Sequence, residues 1–191
     1  MLHLCRFCGI MGWVMYMEKE LPKRKKNRLE DYDYNSCGAY FITICTENRR
    51  QMLSRIVGGD VLGAPKQVEL LPHGQIADKY IKQLNDFYDQ IQIMRYVIMP
   101  NHIHILFFVV EDNGAPRTSP PTRQHFVAKF VSTFKRFCNK EYGENIWQRN
   151  YYDHIIRNRE DYAEHVKYIF ENPMRWYCDE LCAENKGESD G

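Results

Sequence analysis

The sequence predicts an α+β domain of the split βαβ kind, ferredoxin-like in topology, with a central antiparallel sheet and a last helix that carries a tyrosine. Three observations predict it. Runs rich in β-branched and aromatic residues alternate with amphipathic stretches in the order strand, helix, strand, strand, helix, strand, helix. Two of the strands are separated only by Pro100 and Asn101, which makes them an antiparallel hairpin. On the second strand of that hairpin, His102 and His104 stand two residues apart in an otherwise apolar run.

Taken in order, residues 39–46 are β-branched and aromatic and form the first strand. Residues 56–73 hold Gly58, Gly59, Gly63, Pro65 and Pro72 and read as loop, with a short strand at 67–71. Ile76, Ala77, Tyr80, Ile81, Leu84 and Phe87 fall at helical spacing and predict an amphipathic helix over 76–87. The hairpin follows, with strands at 91–99 and 102–110. Residues 111–122 contain Asn113, Gly114, Pro116, Pro120 and Pro121 and are expected to be a mobile loop.

A second helix is expected over 123–142, with Phe126, Val127, Phe130, Phe134 and Phe137 as its buried stripe and Lys129, Lys135, Arg136 and Lys140 on the other faces. Residues 146–156 read as extended, anchored by Trp147, Tyr151 and Ile155. Asn158 then looks like an N-cap with Asp161 at the third position. That helix should end at Asn172, because Pro173 disfavours helical geometry in the residue before it. The helices are expected to cover one face of the sheet.

The chain's 191 residues suffice for one domain with a real core. We expect an N-terminal extension at 1–16, a domain at 17–178 that opens at the plausible second start Met17, and an acidic tail without structure at 179–191. Cys5 and Cys8 form a lone pair with no partner pair at zinc-ribbon spacing. Seven cysteines, an odd number scattered among apolar residues, fit a reducing compartment rather than a disulfide framework. No apolar run reaches membrane-spanning length, and the first residues lack a signal-peptide pattern, so the expected location is cytoplasmic. A formal net charge of +1 argues weakly against nucleic acid, but it averages a basic run (Lys23, Arg24, Lys25, Lys26, Arg28) against the acidic tail.

Side chains at i and i+2 of a strand share a face, so His102 and His104 aim at one spot while Ile103 faces the other way. On the last helix, Tyr162, Val166, Ile169 and Phe170 make an apolar stripe, and Asp161, His165, Tyr168 and Asn172 fall on a neighbouring face. Tyr168 and Asn172 can therefore present a phenol and an amide oxygen to one point. Two imidazoles and an amide oxygen would leave open positions for water and phosphate oxygens, which suits Mg²⁺ or Mn²⁺. Taken singly, these signals are weak. A His-x-His pair on a core strand is more often structural, and Tyr168 competes with a dozen other tyrosines, Tyr151, Tyr152 and Tyr162 among them.

The ordered set is more specific. Pro100 to His104 resembles the histidine–hydrophobe–histidine motif of HUH endonucleases, and Tyr168 to Pro173 resembles the tyrosine helix of one-tyrosine single-strand transposases. Together with Asp31 to Tyr34, Phe41 to Thr43, Trp147 to Arg149, Tyr152 to His154 and Trp176, the chain from about Lys23 to Trp176 is similar to REP-associated tyrosine transposases.

The resemblance implies the HUH fold, with His102 and His104 as ligands of a divalent metal, Tyr168 as nucleophile and Asn172 as third ligand. The commonest insertion-sequence relatives have Gln where this chain has the shorter Asn172. It implies a transposase that cleaves single-stranded DNA beside a hairpin through a 5′-phosphotyrosine intermediate, needs no ATP, and acts as a monomer or homodimer. Candidate DNA contacts are Lys23, Arg24, Lys25, Lys26 and Arg28, which the resemblance suggests read a guide sequence, with Arg49, Arg50, Lys135 and Arg136.

Two other classes remain open on the residues alone. One is a non-catalytic nucleic-acid module of RRM-like topology, disfavoured because its central strand would carry aromatics where this one carries histidines. The other is a metal-dependent hydrolase that uses water and forms no covalent intermediate.

Overall fold

A computed structural model describes residues 37–58, 67–110 and 126–176. The N-terminal extension with Cys5 and Cys8, the basic run at 23–28, the loop at 111–122, the expected start of the second helix and the acidic tail lie outside the described residues. The elements are β1 (Gly38–Cys45), β2 (Ser54–Val57), β3 (Gln67–Leu70), α1 (Pro72–Phe87), β4 (Ile91–Ile98), β5 (His102–Val109), α2 (Phe126–Tyr142), β6 (Tyr152–Ile156) and α3 (Arg159–Arg175). Four strands form one antiparallel sheet in the order β4-β5-β1-β6, which is the split βαβ arrangement with the histidine strand in a central position. β2 and β3 pair as a separate two-stranded ribbon. Among the described residues no helix is long and apolar enough to cross a membrane.

The two faces of the sheet are covered differently. Tyr40, Ile42 and Ile44 of β1 and Ile103, Ile105 and Phe107 of β5 meet Ala77, Ile81 and Leu84 of α1 and Val127, Phe130, Val131 and Phe134 of α2 in the main core. Burying one such large apolar side chain contributes about 1.5–3 kcal/mol. The alternate residues, Phe41 and Leu106, meet Ile169 of α3 in a second, smaller cluster, with Val97, Ile156, Tyr162 and Val166 packed against it. The helices therefore do not share one face. Among the described helices, α3 alone packs on the face that carries the histidines.

Several boundaries differ from the sequence expectation for local reasons. α1 begins four residues early, at Pro72, whose fixed φ and missing N–H suit the first turn. Gly74 in that turn sits under the Leu53 carbonyl, where a Cβ would come within 1.9 Å of the oxygen. α2 ends at Tyr142 with Gly143 at φ 80°, and the Gly143 N–H donates to the Asn139 carbonyl at 3.0 Å.

The expected strand at 146–156 is regular only over Tyr152–Ile156. Before it, Trp147 makes a lone bridge to Thr46, and the Lys135 ammonium gathers the carbonyls of Gln148, Arg149 and Asn150 into a loop. Asn158 caps α3 as expected, its side chain accepting from the Asp161 N–H at 2.8 Å. Pro173 does not end that helix, which continues to Arg175. The bond lost at proline is offset by burying Trp176, 3% exposed, against the His102 ring at 5.9 Å between centroids.

Candidate active site

The turn between β4 and β5 fixes where the histidines begin. Met99 N–H donates to the His102 carbonyl at 2.8 Å, the Pro100 carbonyl accepts from Met52 and Leu53, and the Asn101 carbonyl accepts from the Thr46 N–H. β1 then lies alongside in register, with Thr43 opposite His104 and Cys45 opposite His102. Both imidazoles emerge on the α3 face, with ring centroids 4.5 Å apart, and both residues are buried.

Each ring is held by its Nδ1. His102 Nδ1 lies 2.8 Å from Asn101 Oδ1, and His104 Nδ1 lies 2.8 Å from Thr43 Oγ1. With both Nδ1–H groups donating, both Nε2 lone pairs remain for a metal. Among the described residues, the Nε2 atoms of the two histidines and Oδ1 of Asn172 are buried atoms that make no hydrogen bond themselves. Burial, with His102 and His165 nearby, holds the His104 imidazole well below the usual histidine range, so it is in the neutral, ligating form. One amide and two imidazole donors of this kind fit a divalent metal.

α3 closes over this face. Asn172 is 2% exposed, while Tyr168, one turn earlier, is 38% exposed. The Tyr168 ring stands edge-on to His104 at 5.1 Å and to Phe41 at 6.0 Å. Phe41 is a hub: it also stacks on His104 at 5.1 Å and meets His165 at 4.6 Å. In front of these rings lies an open cavity of about 660 Å³ lined by Phe41, Thr43, Arg49, His104, Tyr152, Glu164, His165 and Tyr168.

At its rim, His154 Nε2 lies 3.0 Å from both carboxylate oxygens of Asp161, and His165 Nδ1 lies 2.9 Å from the Asp161 backbone oxygen. A second groove, about 800 Å³, runs between β4 and α3 and is lined by Arg95, Val97, Arg159, Lys167 and Phe170 among others.

The fold thus brings His102, His104 and Tyr168 together, with Arg49 on the same cavity, and buries Asn172 one turn after Tyr168 on the same helix. Arg50 faces Glu144 at 3.9 Å. Lys135 is engaged with three backbone carbonyls, and Arg136 lies over the Phe137 ring at 5.2 Å; neither lines the cavity. Phe170, expected in the apolar stripe, is 78% exposed. Thr43, Phe41, Tyr152 and Trp176 belong to the site and went unassigned from sequence. The two-residue period of β1 could have placed Phe41 and Thr43 on one face, but only the strand register puts them beside His104.

A split βαβ sheet with paired histidines on a central strand, crossed on that face by a tyrosine helix, is the HUH fold. No protein-family model matches the chain. It is 31% identical over 176 residues to an uncharacterized protein of Haemophilus influenzae, spanning 83% of this chain and 92% of that one. It is 28% identical over 142 residues to the REP-associated tyrosine transposase of Escherichia coli, spanning 74% of this chain and 70% of that one. A solved structure of a REP-associated tyrosine transposase bound to a REP hairpin superposes with a TM-score of 0.52 at 23% identity, covering 73% of this chain and 68% of that one, which shows the shared fold. The chain belongs to one family with that Haemophilus influenzae protein, and it is similar to REP-associated tyrosine transposases at 28% and 29% identity.

Proposed function

We propose that this chain is a metal-dependent endonuclease and strand transferase, acting in the cytoplasm on single-stranded DNA beside a hairpin through a covalent 5′-phosphotyrosine intermediate. The observation that carries the reading is the placement of Tyr168 edge-on to His104 within one chain, with both motif histidines held by Nδ1. A relative bound to a REP hairpin supports hairpin DNA as the substrate class.

His102 and His104 through Nε2, and Asn172 through Oδ1, would hold Mg²⁺ or Mn²⁺. Bound there, such an ion would draw charge from the non-bridging oxygens of the scissile phosphate. Thr43 and Asn101 keep the two rings from turning away. Tyr168 Oη attacks phosphorus, its bond to phosphorus forms as the P–O3′ bond breaks, the phenol loses its proton to solvent and the departing oxygen gains one. A 3′ hydroxyl can later attack the phosphotyrosine and reseal a strand, so bond energy is conserved and no ATP is consumed. Residues 23–28 would read guide bases, while Arg49 meets phosphate at the cavity.

The test is cleavage of a single-stranded hairpin oligonucleotide. Tyr168→Phe should abolish cleavage and covalent capture while binding persists, and excess chelator should stop the wild-type reaction. Undiminished cleavage by the Phe variant would eliminate the tyrosine mechanism in favour of water. Full activity in chelator would eliminate the metal.

A further inference from the structure

The turn that follows β1, Glu47–Arg49, contains two consecutive left-handed residues, Asn48 at φ 54° and Arg49 at φ 53°. They are the only non-glycine residues with positive φ among the described residues. Asparagine tolerates this region; arginine does not favour it, and such a conformation persists where neighbours enforce it.

The enforcement is visible. Thr46 is fully buried; its N–H donates to the Asn101 carbonyl at 2.9 Å, and its hydroxyl reaches the Asn101 carbonyl at 3.0 Å and the Arg50 carbonyl at 2.8 Å. The Arg49 N–H donates to the Thr46 carbonyl at 3.1 Å. The Asn101 side chain, 1% exposed, donates through Nδ2 to the Arg49 carbonyl at 3.3 Å while its Oδ1 holds His102 Nδ1 at 2.8 Å. One buried amide therefore fixes both the strained arginine and a motif histidine, and Arg49 lines the cavity that His104 and Tyr168 share.

We propose that Arg49 is a catalytic residue that binds the non-bridging oxygens of the phosphate under attack, and that Asn101 is a positioning residue for Arg49 and His102 together. This rests on the tyrosine-transposase reading and narrows Arg49 from a general DNA contact to a group acting in the transition state. As the Tyr168 Oη–P bond forms and the P–O3′ bond breaks, charge grows on the non-bridging oxygens. The planar guanidinium meets two of them with a fork of donors and keeps its own proton throughout. The phenol proton and the one taken up by the departing oxygen exchange with solvent, so nothing else is consumed.

The experiment uses the full chain and a hairpin oligonucleotide chosen by covalent capture on the wild-type protein from a pool with randomised flanks. If the wild type captures none, the tyrosine-transposase reading itself fails, which is a separate result. With a captured oligonucleotide, Arg49→Gln should lower the single-turnover rate at saturating DNA by about 100-fold or more, as for removal of a transition-state donor, with the dissociation constant changed less than about threefold. On the same oligonucleotide with a methylphosphonate at the scissile position, which lacks that charge, the penalty should shrink to less than about 10-fold. Asn101→Ala should lower the rate and also raise the metal concentration needed for half-maximal activity. An Arg49→Gln rate within about threefold of wild type, a loss confined to the dissociation constant, or an equal loss on the methylphosphonate would overturn the proposal.

Discussion

The ring of Tyr168 stands edge-on to the ring of His104, with 5.1 Å between centroids, and both belong to one chain. β5 holds the histidine and α3 brings the tyrosine, so the two halves of the site meet in cis.

That geometry makes a complementation prediction. Mixing His102→Ala with Tyr168→Phe should recover no cleavage, because neither chain holds both halves. Cleavage restored by mixing would show that the tyrosine is delivered to a partner chain.

Thr43 offers a test of how the motif histidines are oriented. Its Oγ1 lies 2.8 Å from His104 Nδ1. Thr43→Val keeps the shape and removes the bond. Metal affinity, read from half-maximal activation by Mn²⁺, should weaken about 10–100-fold, the usual effect of losing such a partner. An unchanged activation curve would mean that Thr43 does not set the ring.

How much of this was legible in the sequence depends on the kind of signal. The histidine pair needs only the two-residue period of a strand, and the Tyr168–Asn172 face only the helical repeat; both are local. The face on which α3 packs is not local. β1 and β5 are apolar on both sides, Ile42 and Ile105 against Phe41 and Leu106, so no alternation marks which side a helix will cover. Pro173 misled for the opposite reason: a sound local rule was overridden by the distant contact of Trp176 with His102. β2 is four residues long and pairs with β3, too short to stand out beside the glycines that follow it. Tyr152 reaches the cavity because it registers with Thr43, which no single-strand pattern could reveal.

The buried imidazole predicts a pH effect on the metal-free protein. Burial, with His102 and His165 nearby, lowers the His104 pKa well below 6.5 in the folded state. The unfolded chain takes up that proton near 6.5, so below this pH it binds more protons than the folded chain and stability falls as pH drops. The urea midpoint should decline from pH 7 to about pH 5, and His104→Gln should lose part of that decline. Identical slopes in both proteins would contradict the assignment.

Packing at the start of α1 predicts a stability effect away from the chemistry. A methyl at Gly74 would collide with the Leu53 carbonyl, which is backbone and anchored through Leu71 N–H at 2.9 Å. Gly74→Ala should therefore destabilise by about 1–3 kcal/mol in urea titration, despite the higher helix propensity of alanine. A stabilised variant would show that the loop at Leu53 gives way.

The most direct test of the central claim is to identify the residue that becomes attached to DNA. Two tyrosines line the same cavity, Tyr168 on α3 and Tyr152 on β6. Wild-type protein incubated with a hairpin oligonucleotide and Mg²⁺ or Mn²⁺ should form a denaturant-resistant adduct, and peptide mass analysis should place it on Tyr168. Tyr152→Phe should still form it and Tyr168→Phe should not. An adduct on Tyr152, or cleavage without any adduct, would contradict the account.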